Sequence, residues 1–292
     1  MAFMSLDPQR RCRRTAGEIR ALRYQMATII GEAPPMTVRQ IFYQMLSRGH
    51  IDKQESEYKN VVVRLTGRMR EEGQIPFSWI ADPSRWMRKP QSYGSLRAML
   101  NDTRDTYRRD IWRNQDDYVE VWLEKEALSG VIYETTAQWD VPLFVAKGYA
   151  SKSYLHEAAK HIESVDKPTF LYYLGDYDPS GLDISRNIEE KIRQYAPRAD
   201  ITFERIAVTE DQIYELDLPT RPTKRSDSRS KSFKGESVEV DAIPPKILRA
   251  LVREAIESHV NTGVLSATKE TERLEKVTYD NAVRDIFGGL EL

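Results

Sequence analysis

Between Tyr118 and Val208 short apolar runs alternate with stretches of helical periodicity, and this alternation limits the fold more than any other feature of the 292-residue chain. Strands are predicted at 118–124, 141–146, 169–174 and 201–208, with helices at 127–139, 151–165 and 180–195 between them. Strands separated by single helices pair in parallel through right-handed crossovers. The expected fold class is therefore α/β and multi-domain, with a parallel sheet over 113–210. In such sheets, ligand sites lie at the carboxyl ends of the strands.

The region before it has a different texture. An Arg-rich amphipathic helix is expected over 9–31, with Ile19, Leu22, Met26, Ile29 and Ile30 on one stripe, and Pro34-Pro35 stops it. Thr37 and Gln40 form a capping box, flanked by Met36 and Ile41 as a staple, and open a helix whose stripe is Val38, Ile41, Phe42, Met45 and Leu46. A further helix is predicted over 55–72 with Gly73 as its C-cap, then a short extended wing at 75–80 and a helix over 94–112. Residues 1–110 carry a net charge of +8 and the remainder −9, so a pI near neutrality conceals a basic module and an acidic one. A winged-helix-like DNA-binding domain over 34–112, behind an N-terminal helix over 1–33, fits that pattern. The remainder, 211–292, reads as a basic loop over 220–235, where Arg225 and Lys231 are candidate DNA contacts, and a tail of helices at 244–259 and 268–286.

Several classes of function are excluded or disfavoured. Cys12 is the only cysteine, which rules out an internal disulfide and a Cys-rich zinc site, and His50, His156, His161 and His259 are too scattered for a His-based one. No apolar run is long enough to span a membrane, so a cytoplasmic, nucleoid-associated protein is expected. The segment Lys147-Gly148-Tyr149-Ala150-Ser151-Lys152-Ser153 lacks P-loop spacing and reads as a strand-to-helix turn, with Lys147 and Lys152 as candidate phosphate contacts.

Two acidic features fall where a parallel sheet places its sites. Glu124 ends the first predicted strand, and Asp176 and Asp178 follow the third in Gly-Asp-Tyr-Asp-Pro-Ser-Gly. Read as strand positions two apart, the aspartates share a face. Three gathered carboxylates repel unless a cation neutralises them, and hard oxygens without Cys or His favour Mg²⁺ or Mn²⁺. The helix start at Pro179–Gly181 offers amides to a phosphate. Glu239 and Asp241 form a second acidic segment to which the sequence assigns no role.

A strand-end Glu124-Lys125 followed by Asp176-x-Asp178-Pro-x-Gly181 resembles the Toprim domain, a Rossmann-like parallel-sheet fold. With a basic helical module in front, it more narrowly resembles the A subunit of type IIB DNA topoisomerases (topoisomerase VI) and the related meiotic double-strand-break transesterase. The resemblance covers about residues 34–210. It implies Mg²⁺-dependent cleavage of double-stranded DNA, metal ligation by Glu124, Asp176 and Asp178, and a homodimer in which one subunit's tyrosine meets its partner's metal. By carry-over Tyr43 is the nucleophile and Arg39, one helical turn before it, its support. Independently, Tyr43 lies off the apolar stripe, beside Gln40, Gln44 and Ser47. Because no nucleotide-hydrolysing motif is present, a topoisomerase role requires a separate ATPase B-type subunit. Two alternatives stand beside this reading. One is a hydrolytic nuclease similar to that of the Wadjet plasmid-defence system, in which metal-activated water attacks; the other is a DNA-binding protein that does not cleave.

Overall fold

The computed structural model describes residues 14–81, 89–222, 233 and 236–288, and the chain divides into two compact units, Met1–Ile80 and Ala81–Leu292. The candidate DNA contacts Arg225 and Lys231 lie outside the described residues.

The first unit is helical. Helix α1 (Ala16–Glu32) starts later than the Arg-rich run suggests, because Thr15 and Glu18 form a capping box that fixes its first turn. Helix α2 (Val38–Ser47) begins at Thr37 with the expected capping box: Thr37 Oγ1 accepts from the Gln40 amide at 3.0 Å, and Gln40 Oε1 accepts from the Thr37 amide at 3.0 Å. The helix predicted over 55–72 is present, but as α3 (Glu55–Glu57), a π-helical turn (Tyr58–Val63) and α4 (Arg64–Glu71) in succession. Gly73 follows with φ +71°, as its C-capping role requires. Met26, Ile29 and Ile30 of α1, Ile41 and Met45 of α2, and Leu65 and Met69 of α4 are all buried.

The expected wing is not a strand. Phe77–Trp79 forms a 3₁₀ turn, and the segment's only ladder contact is a parallel bridge between Met36 and Ile80. Among the described residues of this unit no β-strand occurs. Pro76 removes an amide donor from the middle of the run, which favours a turn over a paired strand.

The second unit is a mixed α/β body around one four-stranded parallel sheet of order β2-β1-β3-β4, comprising β1 (Tyr118–Leu123), β2 (Leu143–Val145), β3 (Thr169–Leu174) and β4 (Ile201–Ala207). Helices α6 (Ser129–Gln138), α7 (Lys152–Val165) and α8 (Pro179–Tyr195) are the crossovers. Every residue of β1 is buried, as a central parallel strand covered on both faces must be. On one face Trp122, Leu171, Tyr173 and Ile201 form a core with Leu155 and Ile162 of α7 and Ile184, Ile188 and Ile192 of α8. The alternate β1 residues Val119, Val121 and Leu123 point to the other face, where α6 packs on α10 (Pro245–Glu257). Helix α5 (Leu96–Thr106), grouped with the basic module on sequence, packs instead against α11 (Thr262–Gly288). Tyr279 donates to the Leu100 carbonyl at 2.9 Å, and Arg104 pairs with Asp280 at 3.4 Å. A short helix that the sequence reading missed, α9 (Glu210–Glu215), follows β4 behind a Thr209–Gln212 capping box.

No helix among the described residues is long and apolar enough to cross a membrane.

Candidate functional site

With strand order 2-1-3-4, the chain reverses its winding direction between β1 and β3, and the crevice outside the carboxyl ends of that pair is where such sheets bind ligands. Glu124 leaves β1 there and Asp176 leaves β3 beside it: the Asp176 amide donates to Glu124 Oε2 at 3.0 Å. Tyr173 donates to the same oxygen at 3.4 Å.

The two aspartates are not strand residues. β3 ends at Leu174, and the pair occupies the turn into α8. Asp178 is the N-cap of α8, its Oδ1 accepting from the Gly181 amide at 2.8 Å. Thus the helix N-terminus expected to receive a phosphate spends that amide on Asp178. Asp176 is buried and its Oδ1 accepts from the Val240 amide at 2.9 Å.

That last contact shows what the acidic segment 239–241 does. Tyr177 and Val238 form an antiparallel bridge, with amide-to-carbonyl distances of 2.9 and 3.0 Å, and Arg221 and Ser237 form a second. The strip carrying Glu239 and Asp241 is therefore clasped directly onto the turn that carries Asp176 and Asp178. Lys125 lies 2.9 Å from Asp176, 2.9 Å from Asp241 and 3.4 Å from Glu239. Arg221 lies 2.6 Å from Glu239 and 3.5 Å from Asp178. The Arg221–Ser237 bridge also brings Arg221, near the start of the basic run 220–235, and Ser237, just after it, to the edge of this cluster.

Arg205, on β4, was not singled out by the sequence, although a charged residue inside a strand pattern is a usable signal. Its guanidinium donates to the carbonyls of Gly175 (2.9 Å), Asp176 (3.2 Å) and Gly181 (2.8 Å), and to Ser185 Oγ at 3.0 Å. It binds the backbone of the turn rather than a carboxylate, fixing the loop that carries both aspartates.

The charges are under strain. Burial pushes the Glu124 carboxyl up to about 7, and the neighbouring Asp176 charge adds to the rise. Burial also raises Asp176, against the pull of Lys125. Burial opposes the charge on Lys125, but Asp241, Asp176 and Glu239 outweigh it and hold the ammonium protonated.

Among the described residues, the carboxylates of Asp176, Asp178, Glu239 and Asp241 are paired with Lys125 and Arg221, with Glu124 beside Asp176. The donor set is all oxygen, which suits a hard divalent cation. Yet among the described residues no three acidic, His or Cys side chains converge as a chelating group; Lys125 and Arg221 are interleaved with the carboxylates.

Two glycines set how tightly the turn closes. A Cβ at Gly181 meets the Asp176 carbonyl oxygen well inside contact distance, whereas one at Gly175 meets the Glu124 carboxylate at 2.5 Å and the Tyr173 ring at 2.6 Å. Backbone cannot yield as a side chain can. Gly181→Ala is expected to destabilise the protein by about 2 kcal/mol or more, and by more than Gly175→Ala. Urea midpoints in the opposite order would refute this account of the turn.

The other candidates are placed as follows. Lys147 and Lys152 are exposed, and Lys147 pairs with Glu126 at 2.7 Å. His161 contacts the Tyr118 hydroxyl at 3.0 Å, and His156 packs edge-on to Tyr195. His259 lies 2.6 Å from both Asp117 and the Tyr172 hydroxyl. His161 and His259 are thus held by polar contacts and His156 by ring packing.

In the first unit Arg39 sits 4.6 Å from the Tyr58 ring centroid and 5.8 Å from those of Phe42 and Tyr43. Tyr43 is only 3% exposed, and Gln40 and Gln44 on the same flank are also buried. The polar flank of α2 therefore faces inward. Amphipathic periodicity misjudges a helix enclosed on nearly all sides. Of the basic residues in this unit, Arg14, Arg23, Arg39 and Arg48 are each paired with a glutamate, while Arg64 and Arg68 on α4 are exposed.

No protein-family model matches the chain, and no curated protein matches its sequence.

Proposed function

We propose that the protein cleaves duplex DNA in a divalent-metal-dependent reaction at Glu124, Asp176 and Asp178, with Tyr43 as the attacking group and Arg39 beside it. The observation that carries the reading is the gathering of buried and half-buried carboxylates, two of them with raised pKa, at the carboxyl ends of β1 and β3. The finer identification, a Toprim domain behind a winged-helix-like module as in type IIB topoisomerase A subunits, rests on the motif resemblance.

Bound there, Mg²⁺ or Mn²⁺ would polarise the phosphate and stabilise the departing oxygen. Asp176, held by the Val240 amide, and Glu124, held by the Asp176 amide, are the residues that would hold the ion. Arg205 holds the intervening backbone, which reduces reorganisation when charge enters. In the attack, the Tyr43 phenolic oxygen would bond to phosphorus while its proton passes to a solvent water. The phosphorus–oxygen bond to the sugar breaks, and that oxygen takes up a proton. A phenol of pKa about 10 needs help at neutral pH, and Arg39, 5.8 Å from the Tyr43 ring centroid, is the residue assigned to give it. The family arrangement that supplies Tyr43 implies a homodimer and, for a topoisomerase, a separate ATPase subunit.

The burial of Tyr43 favours a second reading, hydrolysis by water at the same carboxylates without a covalent intermediate. Supercoiled plasmid with Mg²⁺ or Mn²⁺, denatured and then treated or not with protease before electrophoresis, separates the two. The tyrosine mechanism predicts breaks that carry protein and are absent from Tyr43→Phe. Protein-free breaks that persist in Tyr43→Phe establish the hydrolytic enzyme. Salt-sensitive binding without breaks under any of these conditions leaves a DNA-binding protein.

A further inference from the structure

Both aspartates of the candidate site touch a cationic side chain of the protein itself: Lys125 for Asp176 at 2.9 Å, Arg221 for Asp178 at 3.5 Å. Lys125 is shared unusually. Its other partners, Asp241 at 2.9 Å and Glu239 at 3.4 Å, come from the clasped strip 236–242 and not from the turn that carries Asp176. These partners are 2% and 6% exposed, so they form a buried anionic seat beside the site.

We propose that Lys125 is a displaceable resident counter-ion: a divalent cation competes with its ammonium for Asp176, and Glu239 and Asp241 retain the ammonium when it is displaced. The inference rests on the reading of Glu124, Asp176 and Asp178 as a metal site.

Two cations drawn to one buried carboxylate repel strongly, because little solvent screens them. Losing a partner ordinarily strands a buried charge at a cost of several kcal/mol, which is why a simple buried ion pair resists opening. Lys125 escapes that penalty, since two of its three carboxylates stay with it when Asp176 is taken. The same arrangement keeps the cluster from collapsing or repelling itself apart before metal arrives. Lys125 is thus a positioning residue that sets metal affinity, and the strip 239–241 acquires a function that its sequence does not announce.

The test titrates the full-length protein with Mn²⁺ alone, reading free ion by electron paramagnetic resonance and heat by calorimetry. Lys125→Gln is expected to bind Mn²⁺ at least tenfold more tightly than wild type. Loss of a merely structural residue does not tighten binding, so this direction is diagnostic. Should Lys125→Gln fail to fold, Asp241→Asn carries the test. It leaves Lys125 more dependent on Asp176, and Mn²⁺ is expected to bind several-fold more weakly; unchanged or tighter binding overturns the exchange. Wild-type binding that requires Glu124 but is no tighter in Lys125→Gln also overturns the exchange and leaves the metal reading standing. A wild type that binds no Mn²⁺, or binds it equally well as Glu124→Gln, overturns both.

Discussion

At pH 8, Glu124→Gln is expected to abolish metal-dependent nicking of plasmid DNA while making the metal-free protein more stable. The two effects have one cause. Burial and the Asp176 charge push the Glu124 carboxyl up to about 7, compared with 4.5 as its ordinary value in the unfolded chain. A carboxyl raised on folding holds its proton better in the folded state, so ionising it weakens the fold. Its stability contribution is therefore complete below about pH 4.5, falls as pH rises to about 7, and stays reduced above. Gln removes that penalty, and its carbonyl oxygen can still accept from the Asp176 amide. With allowance for partial exposure, the gain at pH 8 is on the order of 2 kcal/mol. On the proposed mechanism, losing one of the carboxylates that would hold the metal costs about 4 kcal/mol of barrier lowering, a factor of about a thousand in rate. Urea denaturation with and without Mg²⁺ provides the check: Mg²⁺ is expected to stabilise wild type and not the variant. A variant that cleaves normally, or that loses stability at pH 8, would sink this view of Glu124.

The second unit was largely legible because its signals are local. β3 falls on the predicted 169–174, and β1, α7, α8 and β4 lie within a residue or so of expectation, since apolar runs and caps such as Ser151 specify them without tertiary help. Glu124, Asp176 and Asp178 could be singled out for the same reason, because each stands just past a predicted apolar run, and the structure sets Glu124 against Asp176. What the sequence hid depends on long-range packing. Lys125 reaches Asp241 across 116 positions, and the Val240 amide reaches Asp176 across 64, so neither contact has a signature in spacing. Arg205 acts on backbone carbonyls, which carry no sequence information at all. In the first unit, alternation of apolar and polar residues placed Tyr43 on an outer flank, but neighbouring helices bury polar Gln40 and Gln44 as well. A short helix enclosed on most sides offers the reader no reliable outside.

Stability is expected to depend on pH through a second carboxylate that takes no part in the site. Glu120 is fully buried in the middle of β1, on the face covered by α7 and α8, where Tyr118 donates to it at 3.1 Å and Trp122 Nε1 at 2.8 Å. Burial pushes its carboxyl up to about 7, although both hydrogen bonds pull the other way. Two neutral donors do not replace the solvation of a charge. Because the folded-state pKa again lies above the unfolded one, the protein is stabilised below about pH 4.5 and loses that stabilisation as pH climbs to about 7. The difference amounts to about 3 kcal/mol. Glu120→Gln keeps the shape and the hydrogen bonds: its carbonyl accepts from Trp122, and its amide can donate to the Tyr118 oxygen, which His161 also contacts. Measured by urea denaturation, the variant is expected to gain on wild type by about 3 kcal/mol between pH 4.5 and pH 8. DNA cleavage is expected to be unaffected, since Glu120 faces the core behind the carboxylate cluster rather than the cluster itself. A stability gap that stays constant across that range would mean that Glu120 keeps the same protonation state in the folded and unfolded chain. In that case its burial beside Trp122 would have to be offset by a contact other than these two hydrogen bonds.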